Sequence, residues 1–151
     1  RVVAPVVARR STVRQAGQMP FTGSTSTPSQ AAALRLSALL LGAGTMHFVA
    51  PSFFDSTVPR QLPGQARTYT QVSGVAELAI GAALAVPKTR KLGAGLAAAL
   101  FVAVFPANIQ MAIDWCRSPK TSTPQKIGSI ARLPLQVPLV TEALKARRNA
   151  S

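Results

Sequence analysis

The chain contains 151 residues, of which 48% are hydrophobic and only 14% are charged. An ordinary soluble domain carries about 25% charged residues, so this composition argues against one and predicts a membrane protein. Lys and Arg outnumber Asp and Glu by 17 to 4, which gives a net charge of +13. Because the basic residues lie in short segments between apolar blocks, we expect them to contact lipid headgroups rather than nucleic acid.

The chain divides into a polar arm and a series of apolar blocks. Residues 1–30 are rich in Pro, Gly, Ser, Thr and Arg and lack a helical period, which predicts a disordered basic arm. An organelle transit peptide is the alternative for this arm. Each following block approaches the length of about 17–25 residues that crosses a bilayer. The prediction is an all-α, four-transmembrane-helix bundle over residues 31–145, followed by a basic tail at 146–151, with spans at 31–49, 69–86, 92–115 and 127–144.

The fourth block is the least apolar, because it contains Arg132, Pro134, Gln136 and Pro138. An interfacial helix is therefore its alternative. An even number of crossings would place the basic segments "KTRK" and "KARR" on the same side as the arm. The positive-inside rule then predicts a multi-pass protein of the plasma membrane with both termini in the cytoplasm.

Several kinds of site are excluded by the residue types. The chain has a single cysteine, Cys116, and a single histidine, His47. It therefore lacks an internal thiol pair and any spacing typical of zinc or haem ligation, and we predict no metal site. Neither a glycine-rich phosphate loop nor a Ser-His-Asp set is present, so the sequence leaves open whether the protein is an enzyme.

Apart from end residues such as Arg35 and Glu142, the strongly polar side chains of the predicted spans fall in the outer half of the bundle. An ionised carboxylate at mid-span costs roughly 2.5–3.5 kcal/mol, so Glu77 should face the bundle, pair or be protonated, with Arg132 as its natural partner and Asn108 as the alternative neighbour. This clustering predicts an outward-facing polar pocket. Two alternatives remain, in which the pair only locks two helices or contacts another subunit. The candidate ligand-binding residues are His47, Glu77, Asn108, Gln110, Arg132 and Gln136.

The segment between the first two blocks, residues 50–67, contains three prolines and a Pro-Gly turn. Prolines break helices, and a phenylalanine pair is costly to leave in water. We expect this segment to fold back over the outer mouth as a lid, with Phe53 and Phe54 at the interface or over the pocket. A plain solvated loop is the alternative.

Four stretches, "GAGTMHFVAPSFFDSTVP", "SGVAELAIGAAL", "FPANIQMAIDW" and "RLPLQVPLV", occur in this order. They resemble the successive motifs of the small four-helix DoxX-like integral membrane proteins of bacteria, especially those of actinobacteria. The resemblance covers about residues 35–145 of the chain. Its motif positions fall here on His47, Pro51, Glu77, Asn108, Gln110 and Arg132.

The resemblance implies a membrane subunit of a redox-linked system. Its pocket would bind a quinone or another small lipid-soluble ligand, without a covalently bound cofactor, and its partners would be other membrane or peripheral redox subunits. In this hypothesis Glu77 and His47 exchange protons, and Arg132 keeps Glu77 ionised or binds an anionic group. Asn108 and Gln110 donate hydrogen bonds. The alternative is a non-catalytic scaffold for redox or detoxification enzymes, in which the polar cluster is purely structural.

Overall fold

The computed structural model describes residues 28–150, so the predicted disordered arm lies almost entirely outside the described residues. The regular structure in this range is helical, as predicted. Residues 28–30, assigned to the arm, form the first turn of the first helix, and most of the predicted tail continues the last one. The helices are α1 (Pro28–Val49), α2 (Pro51–Asp55), α3 (Ala66–Ala85), α4 (Arg90–Arg117) and α5 (Thr123–Asn149).

The prediction of four membrane-spanning helices is wrong. Within residues 28–150, only α1, over Gln30–Val49, and α4, over Arg90–Arg117, are long and apolar enough to cross a membrane. The first half of α3 contains Arg67 and several other polar residues, and Glu77 lies near the middle of the helix. Helix α5 contains prolines, glutamines and several charges, including Arg132. The lengths of these two blocks suggested membrane spans, but their polar residues lower the mean hydropathy of α3 and α5.

Helices α1 and α3 pack closely because glycines line their contact. A Cβ atom added at Gly44 would lie 2.9 Å from Cγ of Leu78 and 3.0 Å from the carbonyl oxygen of Gly74. The hydroxyl of Ser37 donates a hydrogen bond of 2.7 Å to the carbonyl oxygen of Gly81 across the same interface. The two backbones therefore approach to a distance that larger residues would prevent.

The apolar core occupies one half of the bundle. Small alanines on α4 face alanines near the end of α5, which lets this second helix pair approach closely, and Leu84 of α3 is fully buried beside them. The polar candidates lie in the other half. The buried core residues are Ala33, Leu36, Leu40, Ile80, Leu84, Ala94, Ala97, Ala98, Phe101, Ala143 and Ala146.

The two candidate spans expose much of their apolar surface. Only 39% of the apolar window of α1 and 33% of that of α4 is buried inside the protein. A core helix of a soluble protein would be mostly buried, whereas Leu39 and Val49 of α1 and Leu92 and Val102 of α4 point outward. Extensive exposed apolar surface marks contact with a membrane or another protein. Both helices therefore present apolar surface of the kind that a membrane or a protein partner would cover.

Candidate functional site

The polar half of the bundle brings the imidazole of His47, near the end of α1, beside the carboxyl group of Glu77 in α3. Nδ1 of His47 lies 3.5 Å from Oε2 of Glu77. The same nitrogen lies 2.8 Å from the carbonyl oxygen of Ala43. Because a carbonyl can only accept, Nδ1 carries the hydrogen and donates it to Ala43. In the neutral ring, Nε2 is then the nitrogen that can accept a hydrogen bond.

The Glu77 carboxyl group is the least satisfied polar group of the site. Its side chain is only 15% exposed, and Oε2 is buried without a hydrogen-bond partner among residues 28–150. Burial raises the pKa of this carboxyl group, while the charges of His47 and Arg132 act in the opposite direction. Buried polar atoms nearly always have a partner, so an exception requires an explanation. A bound molecule that donates a hydrogen to Oε2, or shares one with it, would provide the missing partner.

Glu77 and His47 line a cavity of about 160 Å³, which we call the inner cavity. Phe54 of α2 stacks on the imidazole of His47, with ring centroids 3.8 Å apart. Asn108 of α4 and Arg132 of α5 line the cavity from the opposite side. The cavity therefore combines an aromatic stack, a carboxyl group, an amide and a guanidinium group within a volume close to that of one aromatic ring.

The structure places four of the six predicted residues at the inner cavity, namely His47, Glu77, Asn108 and Arg132. Gln136 lies behind Asn108: Nδ2 of Asn108 donates to Oε1 of Gln136 at 3.3 Å, and Nε2 of Gln136 donates to the carbonyl oxygen of Phe101. Gln110 is not brought to the cavity, because its amide donates instead to Asp114 at 2.9 Å, one turn further along α4.

The predicted ion pair between Glu77 and Arg132 is wrong. Within the described part of the chain, the basic side chain within 4 Å of the Glu77 carboxyl group is His47, which is charged only when it is protonated. Arg132 lines the same cavity and influences Glu77 through its charge. Its side chain is exposed, whereas the carboxyl group of Glu77 is largely buried.

The lid prediction is confirmed for Phe54 and for the segment between α1 and α3, which folds over the inner cavity, whereas Phe53 does not line this cavity and is 49% exposed, so its position at the interface stays a prediction. Phe54, Thr57, Val58, Pro59 and Leu62 all line it. The plain solvated loop, the alternative for this segment, is therefore wrong.

Asp55, at the end of α2, fastens this lid to α3. Its Oδ2 accepts a hydrogen bond of 2.9 Å from Nε of Arg67, and its Oδ1 accepts one of 2.7 Å from the hydroxyl of Thr70. The bond from Thr70, together with Arg67, lowers the pKa of the Asp55 carboxyl group. The lid is therefore held by a carboxylate that is ionised at neutral pH.

Sequence reasoning missed part of this site. Thr70 and Ser73 line the inner cavity together with Glu77. Ser73 and Glu77 follow Thr70 by three and seven residues, which places all three on one face of a helix. This spacing could have been recognised in the sequence. The contact of Asp55 with Thr70 carried no comparable signal, because it joins a lid residue to α3.

We expect Asp55→Asn to loosen the lid. An asparagine has one oxygen where Asp55 uses two, so it loses the charged contact with Arg67 or the bond from Thr70. Hydrogen exchange of residues 51–62 should become at least severalfold faster than in the wild type. Because the pKa of Asp55 is lowered, the wild-type lid should also loosen as the pH falls through that lowered value.

Asp114→Asn is the matched control, because Asp114 accepts a hydrogen bond from Gln110 within α4 rather than from the lid's anchor on α3. Exchange in the lid should stay at the wild-type rate in this variant. Equal exchange in the Asp55 and Asp114 variants would show that Asp55 does not hold the lid.

The fold and the site together define an all-α protein with two helices capable of crossing a membrane and a polar cavity under a short lid. The model of a family described as "Domain of unknown function (DUF8561)" matches residues 36–147, and the chain belongs to this family. The match runs from α1 into the last turns of α5 and includes every polar residue of the inner cavity. No curated protein and no solved structure matches the chain.

Proposed function

We propose that this protein is the membrane subunit of a redox-linked system and that the inner cavity binds the head group of a quinone or another small lipid-soluble ligand. The observation that supports this most directly is the buried, unpartnered Oε2 of Glu77 beside His47 in a cavity of about 160 Å³. An apolar cavity of about 150 Å³ in another protein accepts benzene. The inner cavity is therefore close in volume to one that holds a six-membered ring.

The chemistry of the ligand follows from the donors that face it. A quinone carbonyl oxygen only accepts hydrogen bonds, so it needs the protonated form of Glu77, which burial favours. The amide of Asn108 uses one hydrogen towards Gln136 and keeps a second for the ligand. Reduction of a quinone to a quinol takes two electrons and two protons. A partner redox protein supplies the electrons, and Glu77 and His47 are the groups that exchange the protons.

The resemblance to DoxX-like proteins supports the redox part of this proposal. Relatives in that family are associated with quinone-linked oxidation of sulfur compounds or act as membrane partners of enzymes that handle thiols and reactive oxygen. His47, Glu77 and Asn108, which carry motifs of the resemblance, meet at the inner cavity.

Extraction of the purified protein followed by mass spectrometry of its lipids tests the proposal. We expect a quinone at about one molecule per chain. A quinone content no higher than that of an unrelated membrane protein, purified from the same cells in the same detergent, would refute a quinone as the ligand.

A non-catalytic scaffold is the second candidate. The bonds from Asn108 to Gln136 and from Gln136 to Phe101 join α4 and α5 and are complete without any ligand. They would serve a purely structural cluster equally well. Soluble redox or detoxification enzymes that co-purify with a quinone-free protein would favour this candidate.

The distribution of charge supports a plasma-membrane orientation. One end of the bundle, where α1 and α4 begin and α5 ends, carries seven of the 13 basic residues in the described range, and we call it the basic end. In our proposal the basic end faces the cytoplasm, together with both chain termini. Its basic residues within the described range are Arg35, Lys88, Arg90, Lys91, Lys145, Arg147 and Arg148.

Cys116 provides a test of this orientation. It is exposed in the last turn of α4, at the end of the bundle opposite the basic end. A membrane-impermeant maleimide should therefore label it in intact cells whose outer membrane surface is accessible. As a control, Asn149→Cys in a Cys116→Ser background places the single thiol at the basic end, where it should react only after permeabilisation. The reverse pattern in the two proteins would refute the orientation.

A further inference from the structure

The end of the bundle opposite the basic end contains a second, larger cavity, which we call the mouth cavity. Its volume is about 810 Å³, and it lies between the segment after α2, the last turn of α4 and the connection from α4 to α5. Small-molecule sites typically have volumes of about 300–1,000 Å³. The mouth cavity is therefore large enough for a ligand that the inner cavity would exclude.

A wall of four residues, Val58, Pro59, Leu62 and Tyr69, lines both cavities. The hydroxyl of Tyr69 donates a hydrogen bond of 2.6 Å to the carbonyl oxygen of Pro63, which fixes this wall to the start of α3. The mouth cavity is thus a neighbour of the inner cavity and has its own lining.

Each of the three segments that enclose the mouth cavity contributes one cationic side chain to it, and these are Arg60, Arg117 and Lys120. None of the three forms an ion pair within residues 28–150. Cations that line one cavity from separate segments repel one another, and among the described residues no carboxylate forms an ion pair with any of the three. An anion bound between them would relieve it.

The carboxylates that line the mouth cavity do not change this conclusion. Asp55 is already engaged by Arg67 and Thr70. Asp114 accepts a hydrogen bond from Gln110 and is the carboxylate that remains opposite the three cations. The lining therefore keeps an excess of positive charge.

We infer that the mouth cavity binds an anionic ligand that carries a phosphate group. Guanidinium groups bind phosphate oxygens in a bidentate manner and lysine adds a point charge, so two arginines and a lysine match a group with several charged oxygens. The indole of Trp115 also lines the cavity, and its N–H donates to the carbonyl oxygen of Ser56 at 3.3 Å, which fixes the ring as an apolar surface for the remainder of the ligand. A soluble phosphate ester and the headgroup of an anionic phospholipid share this chemistry.

The fluorescence of Trp115 gives a direct assay, because the chain contains one tryptophan. The full chain in a non-ionic detergent is titrated with glycerol 3-phosphate, and sodium chloride at equal ionic strength serves as the blank. In a second arm, the chain in phosphatidylcholine nanodiscs is compared with the chain in nanodiscs that also contain phosphatidylglycerol. We expect a saturable change of emission in at least one arm and none with chloride.

The variant Arg60→Gln, Arg117→Gln, Lys120→Gln should weaken this binding at least tenfold. The control variant Lys88→Gln, Lys91→Gln, Arg148→Gln removes the same charge from the basic end and should bind as the wild type does. If the first variant does not fold, Arg60→Gln and Arg117→Gln alone should each weaken binding severalfold.

Each outcome decides the proposal. Binding of glycerol 3-phosphate alone identifies a soluble ester, and binding of phosphatidylglycerol alone identifies a lipid headgroup. Binding in both arms shows that the phosphate group is sufficient. The inference is overturned if neither source binds, or if the control variant weakens binding as much as the mouth-cavity variant does. None of these results depends on the inner cavity or its ligand.

Discussion

Glu77→Leu should abolish ligand binding at the inner cavity while leaving the fold as stable as the wild type, or more stable, at neutral pH. Leucine is close in size to the protonated carboxyl group but can neither donate a hydrogen bond to a ligand nor release a proton. Because the folded-state pKa of Glu77 is raised above 4.5, the folded protein binds more protons than the unfolded chain between the two pKa values. The contribution of Glu77 to stability therefore falls as the pH rises through this window, and the variant should lack this fall.

Thermal unfolding of both proteins from pH 4 upward measures this difference, and extraction of bound quinone measures binding, with an expected loss of at least tenfold. Glu142→Gln is the matched control. Glu142 is an exposed carboxylate whose pKa is lowered by hydrogen bonds from Lys145 and Arg35. Glu142→Gln should show the opposite effect on stability. It should be less stable than the wild type at neutral pH and as stable as the wild type at low pH.

Two results would contradict the account of Glu77. A Glu77→Leu protein that is clearly less stable than the wild type at neutral pH would show that the carboxylate forms a stabilising ion pair, as a purely structural cluster requires. A variant that retains the ligand at wild-type level would show that the inner cavity is not its site.

Gly74→Ala, at the contact between α1 and α3, should lower the free energy of unfolding. The added Cβ would lie 2.8 Å from Cβ of His47 and 2.8 Å from Cε2 of Phe48, and the first of these atoms cannot move without the backbone of α1. Overpacking of this kind costs about 1–3 kcal/mol of unfolding free energy. The variant should also displace His47 from Glu77 and weaken ligand binding.

Gly42→Ala is the control for this change, because a Cβ added at Gly42 meets nothing within 4 Å. Alanine is favoured over glycine inside a helix by roughly 0.5–1 kcal/mol, so this variant should be slightly stabilised. Denaturation of both variants in the same detergent provides the comparison. Equal stability of the two would mean that α1 and α3 are not in tight contact at Gly74.

Helical structure and the general position of the site could be predicted from the sequence, because apolar blocks and the placement of polar residues along them depend on composition alone. The rotation of each helix about its own axis could not be predicted from the sequence. Asn108 and Gln110 lie at nearly the same depth, but two residues turn a helix by about 200°, so only Asn108 faces the cavity. The sequence likewise did not show that Glu77 lies beside His47 while the side chain of Arg132 is exposed.

The number of membrane-crossing helices was misjudged for a different reason. Blocks of alanine, valine and leucine have the length of a span whether they face lipid or other helices. In α3 the polar residues of the first half, including Thr70 and Ser73, face the inner cavity and make the helix less apolar than its second half suggests. The polar residues of the site therefore remove this helix from the candidate spans.

The wall formed by Val58, Pro59, Leu62 and Tyr69 has a thermodynamic consequence. These side chains border the inner cavity on one face and the mouth cavity on the other. A molecule that displaces the wall from one side changes the shape of the space on the other side. Any such effect is reciprocal, so whatever factor the occupant of the mouth cavity applies to affinity in the inner cavity, the occupant of the inner cavity applies in return.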